Sequence, residues 1–187
     1  MESKTILITG CSSGQGRDLA ENLTKAGYRV AATARNPEDL TGLSAELKLK
    51  LDVTDEPSIQ IAVSKVIEKF GKIDILINNA GFAIRSTIEE APEELLREMF
   101  EVNVFGNLRM VRAVAPHMRS RKSGMIITIG SLAGKVSIPV NGNYSMTKFA
   151  LEALNDALRL ELGLFGIKVV LIEPGNIHTK FKENAVS

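Results

Sequence analysis

Tyr144 and Lys148 stand four residues apart at the head of a segment whose apolar residues, Ala150, Leu151, Leu154, Leu158 and Leu162, recur at helical spacing. Residues i and i+4 share one helix face, so phenol and ammonium can point into one space. A neighbouring cation stabilises phenolate and is expected to lower the phenol's pKa, which suits it to give and take a proton. By itself the pair also fits an ordinary surface contact. Two residues set it apart: Ser131, just past an apolar run, and Asn103, placed mid-helix where Asn is a poor helix former.

A second group of residues lies near the N-terminus. Thr9-Gly10-Cys11-Ser12-Ser13-Gly14-Gln15-Gly16 follows a short β-branched run and opens the helical Arg17-Asp18-Leu19-Ala20. A glycine-rich turn leading into a helix gathers free N–H groups at the helix's positive end, and the missing Cβ atoms let a pyrophosphate come close. The spacing G-x-x-x-G-x-G differs from the general dinucleotide fingerprint, and a purely structural turn would use the same glycines. Arg35 ends the second apolar run where NAD-binding chains place a carboxylate for the ribose 2′-hydroxyl; a guanidinium there suits a 2′-phosphate and favours NADP(H) over NAD(H).

Six short apolar runs must position these groups: Thr5 to Thr9, Val30 to Ala34, Leu47 to Leu51, Ile73 to Ile77, Met125 to Ile129 and Ile167 to Ile172. Helical spacing fills the gaps, as in Leu19, Leu23 and Ala26, or Ile59, Val63, Val66, Ile67 and Phe70. Strands alternating with helices imply βαβ units, hence an α/β fold with a doubly wound parallel sheet. Asp55 before Glu56-Pro57 reads as an N-cap, Ala91-Pro92-Glu93-Glu94 as a helix start, and Gly27, Gly71 and Gly166 as left-handed caps. Pro116 is expected to end or kink the long helix that begins near Pro92.

Composition excludes other classes. The chain has 187 residues, 44% of them hydrophobic, enough for one domain with a core. Its formal charge is +1 with no run of one sign, which offers no footprint for nucleic acid or an anionic membrane. A lone Cys11 forms no internal disulfide, and with only His117 and His178 beside it no metal site is expected. Both His residues read as incidental polar groups. No stretch nears the roughly 20 apolar residues of a membrane span, and a cytoplasmic location is expected.

Taken together, these residues resemble the short-chain dehydrogenase/reductase (SDR) family over essentially the whole chain. The match runs through Thr9 to Gly16, Asp52-Val53, Asn78-Asn79-Ala80-Gly81, Asn103, Ser131, Tyr144/Lys148 and Pro174-Gly175. Gly10-Cys11-Ser12-Ser13-Gly14, Ala32 to Arg35, Tyr144 to Ala153 and Leu171 to Gly175 are most similar to the steroid and retinoid dehydrogenase branch and its bacterial relatives. The resemblance implies a Rossmann-type fold and hydride transfer between NADP(H) and a small-molecule ketone or secondary alcohol. It makes Tyr144 the acid/base, Lys148 the cation that lowers the phenol's pKa and holds ribose hydroxyls, Ser131 the partner of the substrate oxygen, and Asn103 the support of a relay water. Gly10, Ser12, Ser13, Gly14, Gln15 and Gly16 would then cradle the cofactor's phosphates. Asp52 and Val53 would meet adenine, with Asn79, Ala80 and Gly81 at the adjoining ribose. Pro174, Gly175, Ile177 and Thr179 would lie on the nicotinamide side.

An acyl-carrier-protein-linked 3-oxoacyl reductase and a non-catalytic nucleotide-binding module are the competing readings. Two departures stand out. Ser13 occupies a position that is basic in many NADP-preferring relatives, and the sequence stops at Ser187 where relatives continue. Residues 1–187 are therefore expected to form a single NADP-binding domain of six strands, lacking a usual seventh strand and a substrate lid, within a longer polypeptide. A homo-oligomer, dimer or tetramer, is expected through Met99, Phe100, Val104, Leu108, Leu151 and Leu158.

Overall fold

A computed structural model describes residues 3–175. The chain alternates β1 (Thr5–Ile8), α1 (Gly14–Lys25), β2 (Arg29–Ala34), β3 (Leu47–Lys50), α2 (Glu56–Phe70), β4 (Ile75–Asn78), α3 (Glu93–Phe100), α4 (Gly106–Ser120), β5 (Gly124–Ile129), α5 (Gly142–Gly163) and β6 (Ile167–Ile172). All six strands are parallel, in the order β3-β2-β1-β4-β5-β6. The chain winds outward from β1 in one direction and, after β4, in the other. That reversal leaves a crevice beyond the C-terminal ends of β1 and β4, where open α/β sheets bind ligands.

Side-chain alternation along each strand divides the core. Leu7, Ala31, Leu76 and Ile126 pack on one face against Val63 and Val66 of α2, Met110 and Val114 of α4, and Leu158 and Leu162 of α5. Ile6, Ile8 and Ala32 pack on the other face against Ala20 of α1 and Leu40. Beside α1 this second face is thinly covered by the described residues, and Val170 and Ile172 of the edge strand β6 are exposed. Met99, Leu151 and Leu158, read from spacing as surface for self-association, are instead buried in the chain's own core. The large apolar residues that α5 turns outward are Met146, Phe149 and Leu160, with Leu164 exposed just past its end.

The glycine caps occur as expected, with φ of +87° at Gly27, +78° at Gly71 and +73° at Gly166. Pro116 does not end the helix. It lies inside α4, which continues to Ser120. Its ring faces solvent, so water can satisfy the carbonyl it leaves unbonded, while buried Val114, Ala115 and Met118 hold the last turn in place. The real irregularity comes earlier: Glu101–Phe105 forms one turn of π-helix between α3 and α4, a geometry frequent at functional sites.

Candidate active site

The crevice has a volume of about 740 Å³, and its walls come from the ends of all six strands. Thr9 and Asn79 join the two turns at its floor. The Thr9 hydroxyl oxygen accepts from the Asn79 and Ala80 amides, both at 3.0 Å. In return the Asn79 side-chain amide donates to the carbonyls of Thr9 (2.9 Å) and Gly10 (3.0 Å). This clamp requires glycine at two places. A Cβ on Gly10, whose φ is +73°, would come within 2.8 Å of Ala80 Cα, and one on Gly16 would strike the Gly10 carbonyl and the Asn79 amide. Past the turn, α1 starts with Ser13 as N-cap; the serine side chain makes no cap hydrogen bond and no acidic residue fills the first turn. The free N–H groups and positive end of α1 therefore face the crevice, as an anion site requires.

Cys11 plays no chemical part. Its thiol is fully buried, hydrogen-bonds the Ile8 carbonyl at 3.5 Å, and is pushed up to about 12 by burial. Arg35 is exposed at the crevice lip, and Asp52 and Val53 border its far side. One Asp52 carboxylate oxygen accepts from the Thr54 amide (2.9 Å) and hydroxyl (2.7 Å), which fixes that turn.

Three segments bring the remaining groups together. Ser131 caps a 3₁₀ turn over Leu132–Gly134, its hydroxyl accepting from the Ala133 amide at 3.1 Å and hydrogen-bonding the Tyr144 side chain. The loop after β6 is tied to it, with the Leu132 amide on the Pro174 carbonyl at 3.0 Å and the Gly130 amide on the Ile172 carbonyl at 2.7 Å. One turn beyond Tyr144 on α5, Lys148 is only 7% exposed, donates to the Ile129 carbonyl at 2.8 Å, and sets its ammonium over the Tyr144 ring, 5.3 Å from the centroid. Among the described residues no carboxylate pairs with it.

The electrostatics differ from the sequence expectation. Burial pushes the Tyr144 phenol up to about 12, opposed only by its hydrogen bond with Ser131. Lys148 does not lower it. Burial draws Lys148 itself down to about 8, because desolvation penalises an unpaired ammonium.

Asn103 lies in the π turn, 1% exposed. Its Oδ1 accepts from the Phe82 amide (3.0 Å), while its Nδ2 donates to the Phe82 carbonyl (2.8 Å) and the Thr147 hydroxyl (3.2 Å). The structure thus brings Ser131, Tyr144 and Lys148 to one wall, Asn103 behind them, and Gly10, Ser12, Ser13, Gly14, Gln15, Gly16, Arg35, Asp52, Val53, Asn79, Ala80, Gly81, Pro174 and Gly175 around the crevice. Ile177 and Thr179 lie outside the described residues, as does His178. Sequence reading missed the wall made by Phe82, Ile138, Pro139 and Val140. Val140 is a β-branched residue at φ +57°, a costly conformation for its type. No periodicity marks such loop positions. Among the described residues no cluster of His, Cys, Asp or Glu could hold a metal ion, and no helix is long and apolar enough to cross a membrane.

A six-stranded parallel sheet with a glycine turn at its switch point defines a Rossmann-type α/β protein. The chain belongs to the short-chain dehydrogenase family, an oxidoreductase family, which it matches over residues 4–187. It is 42% identical over 184 residues to the 3-ketodihydrosphingosine reductase of Bacteroides thetaiotaomicron, covering 98% of this chain and 68% of that protein. The solved short-chain dehydrogenase from Streptomyces avermitilis superposes with a TM-score of 0.93 at 40% identity, covering 100% of this chain and 71% of that one. The 3-ketoacyl-(acyl-carrier-protein) reductase from Brucella melitensis, solved with NADH, superposes with a TM-score of 0.93 at 29% identity, covering 98% and 80%. The chain spans 62 to 68% of the length of the first curated relatives it matches.

Proposed function

We propose that this chain carries out NADP(H)-dependent interconversion of a ketone and a secondary alcohol, with Tyr144 as the proton donor and acceptor. The observation that carries this reading is the Ser131–Tyr144–Lys148 group on one wall of the crevice whose opposite wall is the glycine cradle. The residues present fit the nucleotide. The absent Cβ atoms of Gly10 and Gly16 and the open N-terminus of α1 suit a pyrophosphate, Arg35 a 2′-phosphate, Asp52 and Val53 an adenosine, and Lys148 with Pro174 and Gly175 the nicotinamide riboside. When bound, the nucleotide supplies or takes the hydride.

The chain's own residues handle the proton. With its pKa near 12, Tyr144 is a neutral phenol at physiological pH and starts as a proton donor to a carbonyl oxygen. The Ser131 hydroxyl is placed to hydrogen-bond that same oxygen. Lys148, whose ammonium lies over the ring, would hold the ribose of the nicotinamide riboside. In alcohol oxidation the phenol would first have to lose that proton.

The test is a panel of ketones and secondary alcohols assayed with NADPH/NADP and NADH/NAD. Turnover with the phosphorylated pair supports the reading; its absence with every pair refutes it. Arg35→Asp is expected to reverse the preference towards NAD(H), replacing a charge-assisted contact by repulsion and offering the ribose an acceptor. Nucleotide affinities measured by calorimetry check this, and an unchanged ratio shows that Arg35 is merely solvated.

A further inference from the structure

We infer that Thr147 is a positioning residue that fixes where the Tyr144 phenol sits, acting through Asn103. The Thr147 side chain is fully buried, and the residue stands one turn beyond Tyr144 and directly before Lys148. Its hydroxyl has one proton, and that proton goes to the Tyr144 carbonyl at 2.8 Å. The oxygen is thereby left to accept from Asn103 Nδ2 at 3.2 Å. The two hydrogen bonds fix each other's direction.

Asn103 has no side-chain donor left for a ligand. Both Nδ2 protons are committed, to Phe82 and to Thr147, and Oδ1 takes the Phe82 amide. Its own backbone carbonyl accepts from the Asn107 side chain at 2.6 Å. The side chain of Asn103 is thus a structural joint with three arms: the Gly81-Phe82 loop on the crevice wall, the π turn, and the second turn of α5. Thr147 is the arm that reaches α5. The π turn accounts for the joint, because widening the helix by one residue per turn interrupts the i→i−4 ladder at the depth where Asn103 meets α5. A 1 Å shift of the phenol is enough to cost a large factor in rate, so the arm matters out of proportion to its one hydrogen bond.

This inference rests on the reading of Tyr144 as the acid, and its test separates the two. Thr147→Val keeps the shape and removes the hydroxyl, leaving one buried Asn103 proton unpaired; Thr147→Ser keeps the hydroxyl. With ring-labelled tyrosine, NMR sees only Tyr28 and Tyr144, and Tyr28→Phe assigns them. In Thr147→Val the Tyr144 ring signal is expected to shift or broaden while that of Tyr28 stays, and Thr147→Ser is expected to restore it. In turnover, kcat should fall about 10- to 100-fold in Thr147→Val with KM changed less than about threefold, and Ser should recover most of the loss. Adding Thr147→Val to Asn103→Ala should cost little more, as expected of two parts of one joint. An unmoved Tyr144 signal in folded Thr147→Val overturns the inference even if the enzyme is active, as do effects that multiply with Asn103→Ala. A moved signal in a protein that turns over no carbonyl leaves the joint standing and removes the catalytic reading instead.

Discussion

Tyr144→Phe is expected to lower turnover by about 10³-fold or more while nucleotide affinity changes less than about threefold. The substitution removes only the phenolic oxygen. The ring stays packed, and the Lys148 ammonium keeps its place over it, since its hydrogen bond goes to the Ile129 carbonyl and not to the phenol. What disappears is the phenol proton beside Ser131 that the proposed mechanism uses, and general acid catalysis of this kind is worth about 10² to 10⁴-fold. Steady-state rates together with calorimetric nucleotide binding decide it. Retention of more than a few per cent of wild-type turnover refutes the assignment.

The second large effect is one of stability. Lys148→Met is expected to abolish turnover and at the same time to make the fold more stable at neutral pH. The buried ammonium has its pKa drawn down from 10.5 to about 8, so the folded state carries a charging penalty on the order of 3 kcal/mol. The sign follows from the two values. Below about pH 8 Lys148 is protonated in both folded and unfolded chains and the full penalty is present. Between about 8 and 10.5 the unfolded chain holds the extra proton, so wild-type stability rises with pH; above 10.5 the penalty is gone. Removing the side chain leaves the Ile129 carbonyl without its donor, at about 1 to 2 kcal/mol. The net gain at pH 7 is therefore about 1 to 2 kcal/mol, or a few degrees in Tm for a chain of this size. Urea unfolding of both proteins at pH 7 and pH 10.5 checks the sign. Burial of Tyr144 and Cys11 also makes stability pH-dependent, but both proteins share it and the comparison cancels it. A gap between the two that does not shrink with rising pH shows that Lys148 is not a stored cost.

Much of this architecture is legible in the residues because it depends on local patterns. Ile6-Leu7-Ile8 and Ile75-Leu76-Ile77 are apolar at every position because both faces of a parallel strand are covered, and they sit side by side at the sheet centre. The glycine turn is visible because steric exclusion at Gly10 and Gly16 permits no other residue. Tyr144 and Lys148 are visible because their helical spacing puts them on one face. Through-space effects leave no such trace. Pro116 reads as a helix breaker until the packing of Val114 and Met118 is known. Asn103 stands out as a misfit in a helix, yet nothing in its neighbours' periodicity announces a π turn. The direction of the phenol's shift depends on how deeply Tyr144 is buried, and the part played by Thr147 on a contact 44 residues away in the chain.

Cys11 gives the protein a built-in chemical clock. It is the one thiol among 187 residues, it belongs to the glycine turn with its side chain packed in the core beneath, and both its burial and its raised pKa silence it while the turn is closed. An alkylating reagent can therefore mark each molecule once, and only during an opening of that turn. The time course of a single mass increment then counts openings of the cradle, with no engineered label. A nucleotide that binds the closed turn should slow the increment in proportion to its saturation, ranking NADP against NAD by how well each holds the cradle shut. Labelling at the rate of a free thiol would mean that the glycine turn spends much of its time open.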